Sequence, residues 1–446
     1  MDRLRTIGMG LCAGALLSSG CYGKADNMGR DGIGLDAVER ASVALYRQRA
    51  GEPAHEARQY GGGVLVSRTV NGERRLFLVT ANHVSMFLRH PSGFGAVQVG
   101  MPKRGEDGRI LRATMPDNGV EWLEGDAYHD VVAADITDSV HGLDALGANI
   151  LFVDLDFPHR AAAGDACVCV AAAGGKSEFA SPRQDLWTSP FTRKEGRVVA
   201  TGVDRKHEFV HGQAAGARMQ HRVDVATAEC AEGDSGSPVF VVPGDGTARF
   251  CGIAIGAGGG TVTMVPADAI ARYIDASCGV NLTKEPLADE ALREVEVVTV
   301  RGGDGEENMN VFGTWRPGIR RIVLEVAGIC TKSNALDASV GMYYGKEGLI
   351  QGEEIALTVG WNNIDPEGKS SKPGFKKAVL TFDLDETGRT IGRNVKTDDF
   401  TMDSGGEPRS VADMKYSREW NMVKIRTRGG YSADSYARVI KYAAKE

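Results

Sequence analysis

The sequence predicts a mainly β protein in two parts, on three observations. Short runs of β-prone residues recur along the chain, each closed off by Gly, Asn, Asp or Pro, which is the spacing of an all-β barrel or sandwich. Gly is abundant at 58 residues and Pro modest at 15, a balance that suits turn-rich β structure better than a helical bundle. The length of 446 residues exceeds what one hydrophobic core usually organises, so two domains with terminal extras are expected.

At the start, Arg3 and Arg5 precede an apolar run from Ile7 to Leu17, followed by Ser18-Ser19-Gly20-Cys21. The run is too short to cross a bilayer as a helix and ends in small residues, so residues 1–21 are expected to be an export signal. The segment also resembles a bacterial lipoprotein signal, although Ser18 stands where Leu is usual. That resemblance makes Cys21 the lipidation site and a lipid anchor the route to the membrane of the cell envelope; simple secretion is the alternative. Residues 22–40 are expected to be a linker.

Strands are then expected at 42–46, 63–66, 76–79, 166–170, 197–202, 239–242 and 250–255. Behind Pro266, residues 267–276 have helical spacing, with Ile270, Tyr273 and Ile274 on one face. This helix closes a first domain at 41–280. Residues 281–296 are charged and mixed and are expected to link it to a second β-rich domain of the sandwich kind at 297–446, with strands at 321–326, 355–359, 378–384 and 422–427. Asp383-Leu384-Asp385-Glu386-Thr387-Gly388 reads as a hairpin turn rather than a calcium loop, because Thr387 and Asn394 stand where such a loop supplies carboxylates. Trp315, Trp361 and Trp420 are either core residues of this domain or aromatic faces for a glycan or a protein.

A formal charge of −7 and scattered basic residues leave no electrostatic footprint for nucleic acid. Beyond the signal stand Cys167, Cys169, Cys230, Cys251, Cys278 and Cys330. An oxidising compartment would let them pair, with connectivity open. Cys167 and Cys169, two apart on a strand, point to one face and read as buried thiols rather than metal ligands.

Hydrolytic chemistry is suggested by Gly233-Asp234-Ser235-Gly236-Ser237-Pro238, which precedes the apolar run Val239-Phe240-Val241-Val242. A hydroxyl is a weak nucleophile at neutral pH and needs a base within reach and donors for the developing oxyanion. The glycines permit a tight turn that aims the N–H groups of Gly233 and Ser235 at one point while Ser235 projects its hydroxyl. Two further blocks precede it: Leu78-Val79-Thr80-Ala81-Asn82-His83-Val84 and Tyr128-His129-Asp130-Val131-Val132-Ala133.

In that order the three blocks resemble the chymotrypsin-like, or trypsin-like, serine peptidase family, over residues from about Ala41 to Ser277. The resemblance implies a double β-barrel closed by a C-terminal helix, with His83 as general base, Asp130 orienting it and Ser235 as nucleophile. It implies a protein or peptide substrate and no metal or organic cofactor. Asp126 and Asp135 are alternatives to Asp130, each equally readable as a solvated turn carboxylate; Asp130 alone directly precedes the buried run Val131-Val132. His129, His211 and His221 read as surface or strand residues.

The resemblance has departures. No Ile-Val-Gly-Gly start occurs, so activation by cleavage before such a sequence is not expected, and the partner of Asp234 is undefined. The Gly-Asp-Ser-Gly-Ser-Pro form is similar to that of bacterial members, glutamyl endopeptidases included, but Ala254 stands where those carry a His. Ala228, Glu229, Ala254 and Gly256 are candidates for a specificity pocket, with Glu229 also readable as solvent-facing. The expected activity is that of an exported serine endopeptidase working through an acyl-enzyme. The alternative is an inactive protease-fold binding protein of the cell envelope with a C-terminal glycan- or protein-binding domain.

Overall fold

The structure, a computed structural model, describes residues 32–49, 58–89, 94–105, 110–114, 121–140, 146–172, 191–209, 217–231, 233–258, 260–280, 285–301, 308–312, 315–328, 336–346, 349–359, 376–397, 418, 422–427 and 436–445. The signal segment with Cys21, together with His211, Cys330, Trp361 and Trp420, lies outside them.

The first half contains β1 (Ile33–Gly34), β2 (Ser42–Arg49), β3 (Arg58–Val70), β4 (Glu73–Ala81), α1 (Asn82–Arg89), β5 (Phe94–Pro102), β6 (Ile110–Thr114), β7 (Glu121–Trp122), β8 (Val131–Asp135) and β9 (Val153–Asp154). Apart from β1, these strands form one sheet, ordered β6-β5-β2-β3-β4-β8-β7 with β9 added beside β3. Val64, Val66, Phe77, Val79 and Val131 to Ala134 are buried. Near-continuous apolar runs of this kind mark strands covered on both faces.

In the second half lie β10 (Ala166–Ala172), β11 (Phe191–Phe209), β12 (Ala217–Ala226), β13 (Pro238–Val241), β14 (Thr247–Gly258), β15 (Thr261–Pro266) and α2 (Ala267–Ser277). The order β14-β13-β10-β11-β12-β15, closed by a β14–β15 pairing, makes a six-stranded barrel. Cys167 and Cys169 point into it beside Val198, Val239, Cys251 and Met264, whereas Val168 and Val170 join the larger core shared with the first half. This is the alternation that a spacing of two imposes on a strand. The helix α2 buries Ile270, Tyr273 and Ile274. It is tied to β3 by Arg68, whose guanidinium lies 2.7 Å from Asp275.

Further along are β16 (Leu292–Arg301), β17 (Asn308–Phe312), β18 (Ile319–Gly328), β19 (Leu336–Lys346), β20 (Leu349–Val359), β21 (Lys376–Leu384), β22 (Thr390–Thr397), β23 (Met422–Thr427) and β24 (Tyr436–Ala444). They form two antiparallel sheets, β16-β24-β18-β21-β22 and β17-β23-β19-β20. The 383–388 stretch is the β21–β22 hairpin turn. Asp385 Oδ1 accepts from the Thr387 and Arg389 N–H groups at 2.8 and 3.0 Å.

Both expected linkers carry structure. Within 22–40, Ile33 pairs with Ala248, and Val38 is buried in a short 3₁₀ turn. Within 281–296, β16 begins at Leu292 and pairs with Ala444 at the other end of the chain. Charge along 281–296 concealed this, because one face of a strand can be solvated while its backbone is fully paired.

Candidate active site

Register brings the first two candidate residues together. Strands β4 and β8 pair antiparallel with Ala81 opposite Val131, so the next step along both chains sets Asp130 opposite Asn82 and beside His83. The Asn82 N–H donates to the Asp130 carbonyl at 3.0 Å. The Asp130 carboxylate then grips His83 twice: Oδ1 accepts from the His83 backbone N–H at 2.9 Å, and Oδ2 meets the ring Nδ1 at 2.7 Å. An ionised carboxylate can only accept, so the neutral ring carries its proton on Nδ1 and keeps a lone pair on Nε2. Both residues are buried, at 4% and 5% exposure. Asp130 has a left-handed backbone, φ 57°, which Asp tolerates better than bulky or branched residues.

The turn around Ser235 leans on β3 and β14. Gly236 N–H donates to Ala254 O at 2.6 Å, Ala254 N–H to Ser237 O at 2.9 Å, and Gly62 N–H to Ser235 O at 2.8 Å. Thr80, three residues before His83, donates its hydroxyl to the Gly62 carbonyl at 2.7 Å. Gly61 shows how tightly these parts meet: a Cβ there would lie 2.6 Å from Ser235 O and 2.8 Å from a Val84 methyl. Gly233 and Gly236 have φ of 92° and 88°, the backbone that glycine adopts without steric cost. Among the described residues, neither the Gly233 nor the Ser235 N–H donates to a backbone carbonyl. Ser235 itself is half-exposed.

Asp234 points away from solvent, at 1% exposure. Its Oδ2 receives the Ala231 N–H at 2.6 Å and the Lys194 ammonium at 2.5 Å. Lys194 stands on β11 opposite Cys169. This counter-ion, absent from the sequence reading, left as its only trace a lysine on a strand next to a buried Cys-Val-Cys strand. The thiols nearby are held protonated. The Cys230 hydrogen bond and burial push Cys169 well above its ordinary value, burial does the same to Cys251, and burial pushes Cys167 up to about 11.

Other candidates are placed differently. Asp126 is not a solvated carboxylate: it is buried, accepts from the Tyr128 and His129 N–H groups at 2.9 and 3.2 Å, and meets His129 Nδ1 at 2.7 Å. His129 is accordingly a paired, half-buried residue rather than a free surface one. Burial opposes ionisation of Asp126, but the charge and hydrogen bond of His129, with Arg418 behind it, hold its carboxyl below the usual range. Asp135 lies at the far end of β8 in an ion pair with Arg75. Of the specificity candidates, Ala228 and Ala254 are buried, Gly256 is half-buried and Glu229 is exposed.

No protein-family model matches the chain, and no curated protein matches it. Among solved structures it is similar, at low identity, to proteases. The active form of the Rv3671c protease from M. tuberculosis is 17% identical, with 55% of this chain and 83% of that chain covered and a TM-score of 0.34. Secreted serine protease VesC from Vibrio cholerae is 11% identical, with 91% and 93% covered and a TM-score of 0.30. A fructofuranosidase from Schwanniomyces occidentalis, complexed with fructose, is 8% identical over 87% and 63%, with a TM-score of 0.19. Scores of this size leave the function to be read from the residues of the site.

Proposed function

We propose that the protein is an exported serine endopeptidase with a chymotrypsin-like double-barrel catalytic domain, using Ser235, His83 and Asp130. The observation that carries this reading is the two-point grip of Asp130 on His83, 2.9 Å to the backbone N–H and 2.7 Å to Nδ1, beside the turn that presents Ser235. In this reading His83 Nε2 takes the Ser235 Oγ proton as Oγ bonds to the substrate carbonyl carbon. The N–H groups of Gly233 and Ser235 receive the oxyanion. His83 then passes the proton to the departing amine as the C–N bond breaks, leaving an acyl-enzyme. Water, deprotonated by His83, releases the acid and regenerates Ser235.

Export through residues 1–21, with Cys21 as lipid anchor, is part of the same proposal. Lys194 gives Asp234 an internal counter-ion, which supports a nucleophile turn formed without cleavage of the chain. Release of peptides from an unfolded protein substrate by the full chain, compared with Ser235→Ala, tests the reading. Ser235-dependent hydrolysis is expected; equal release by both proteins, or none by either, would favour the protease-fold binding protein instead.

A further inference from the structure

Arg418 belongs to the C-terminal part of the chain, yet it is 2% exposed and its contacts reach the turn that carries Asp130. Its guanidinium donates to Thr387 O in the β21–β22 turn at 2.9 Å, to Glu124 O at 3.3 Å and to the Ser277 hydroxyl at the end of α2. It also lies over the Tyr273 ring, 5.2 Å from the centroid. The Arg418 carbonyl accepts the Ala127 N–H at 3.0 Å. Tyr273 extends the same set, donating its hydroxyl to Glu124 O at 3.0 Å and accepting from Ala133 N–H at 3.1 Å.

A second contact lies alongside. Trp315 packs edge-on to Tyr128, with centroids 6.4 Å apart, and Tyr128 packs in turn against His129 at 4.9 Å. On its other side Trp315 sits on Gly388, where a Cβ would come within 2.6 Å of the ring. Trp315 is thus an interface residue between the 385–389 turn and the 126–131 turn, which removes it from the candidates for a glycan face.

We propose that the C-terminal β region is an intramolecular brace for the site, and that Arg418 and Trp315 are positioning residues for Asp130; this rests on the reading of Asp130 as the carboxylate that orients His83. The 126–131 turn is closed at its base by reciprocal bonds between Asp126 and Val131, at 2.8 and 3.1 Å. Its outer part, ending in the left-handed Asp130, needs outside support, because such backbone persists only where the surroundings over-determine it. Arg418 supplies that support through Ala127 and Glu124, and Trp315 through Tyr128. Both contacts fall on residues 124–128, whereas His83 holds the Asp130 carboxylate itself, so the turn is held at both of its ends.

The test uses the full chain carrying Arg418→Met, Arg418→Lys or Trp315→Phe, with two readouts. The first is the His83 Nδ1 proton resonance, in a Ser235→Ala background with Asp130→Asn as the negative control. The second is kcat and KM for peptide hydrolysis in the Ser235 protein. Arg418→Met is expected to weaken or broaden the resonance and to lower kcat by about tenfold to about 100-fold, the scale of a small misplacement far from the chemistry, with KM little changed. Arg418→Lys, which keeps the charge, should recover part of both. If Arg418→Met does not fold, Trp315→Phe carries the same expectation at smaller size. An unchanged resonance and kcat in a folded variant would overturn the brace, as would a loss confined to KM and thermal stability. Absence of hydrolysis by the unmodified protein would sink the protease reading, and the resonance would still decide the brace.

Discussion

Replacing Lys194 by Met removes the ammonium that meets buried Asp234, one residue before the proposed nucleophile. The Asp234 side chain is 1% exposed and that of Lys194 19%, so the carboxylate cannot turn to solvent when its partner goes. One oxygen, Oδ1, already lacks a partner among the described residues, and Oδ2 would keep only the Ala231 N–H. Removing one member of a buried pair typically costs about 3–5 kcal/mol. Water entering past the partly exposed Lys194 position favours the lower end, about 3 kcal/mol. Because Asp234 N–H and C=O bond Ala231 and Ser237, the deficit falls on the turn as well as on the fold. If all of it reorders the turn, about 3 kcal/mol amounts to roughly 100-fold in reaction rate. The assay pairs urea unfolding with the rate of fluorophosphonate labelling for Lys194→Met, Asp234→Asn and the double variant. The double variant should recover much of the loss, since no unpaired charge remains. Unfolding midpoint and labelling rate of Lys194→Met both matching the unmodified protein would refute the reasoning.

Asp130→Asn keeps the shape but cannot hold the Nδ1–H tautomer, so kcat should fall by about 10⁴ with the fold intact, as read by circular dichroism beside peptide hydrolysis. Native protein treated with iodoacetamide at neutral pH should keep Cys167, Cys169 and Cys251 unmodified, because burial at Cys167 and Cys251, and the Cys230 hydrogen bond with burial at Cys169, hold these thiols protonated; peptide mapping reads this directly. The Asp126 carboxyl is held below its ordinary value in the folded chain, so the unfolded chain binds the proton more readily. The stability it contributes is therefore present above the ordinary carboxylate value and lost as pH falls through the folded one. Unfolding midpoints measured from neutral to acid pH should fall less steeply for Asp126→Asn.

Much of the β architecture is legible along the chain because local signals and tertiary demand agree there. The runs at 63–66, 76–79 and 166–170 are apolar and, but for Ala166, buried. The hairpin at 383–388 follows from turn chemistry alone, as Asp385 bonding to its own turn shows. Asp130 could be preferred to Asp126 and Asp135 because only it directly precedes a strand, and pairing of that strand with β4 is what sets it beside His83. What escaped is what depends on distant pairing. Lys194 lies 40 residues from Asp234, and only the placing of β10 between β11 and β13 brings them together. Asp126 is masked by its turn-like neighbourhood, since one of the charges that acts on its carboxyl, Arg418, comes from far along the chain. The stretches 22–40 and 281–296 looked like linkers because short strand segments and charged strand faces carry little apolar periodicity.

The central claim is that Ser235 is a nucleophile activated by His83, and the site of covalent modification tests it most directly. After brief exposure of the folded full chain to a fluorophosphonate, peptide mapping by mass spectrometry should find the adduct on Ser235. The same treatment of His83→Ala should yield little or none. Modification of another residue, or labelling of Ser235 at the same rate without His83, would contradict the account.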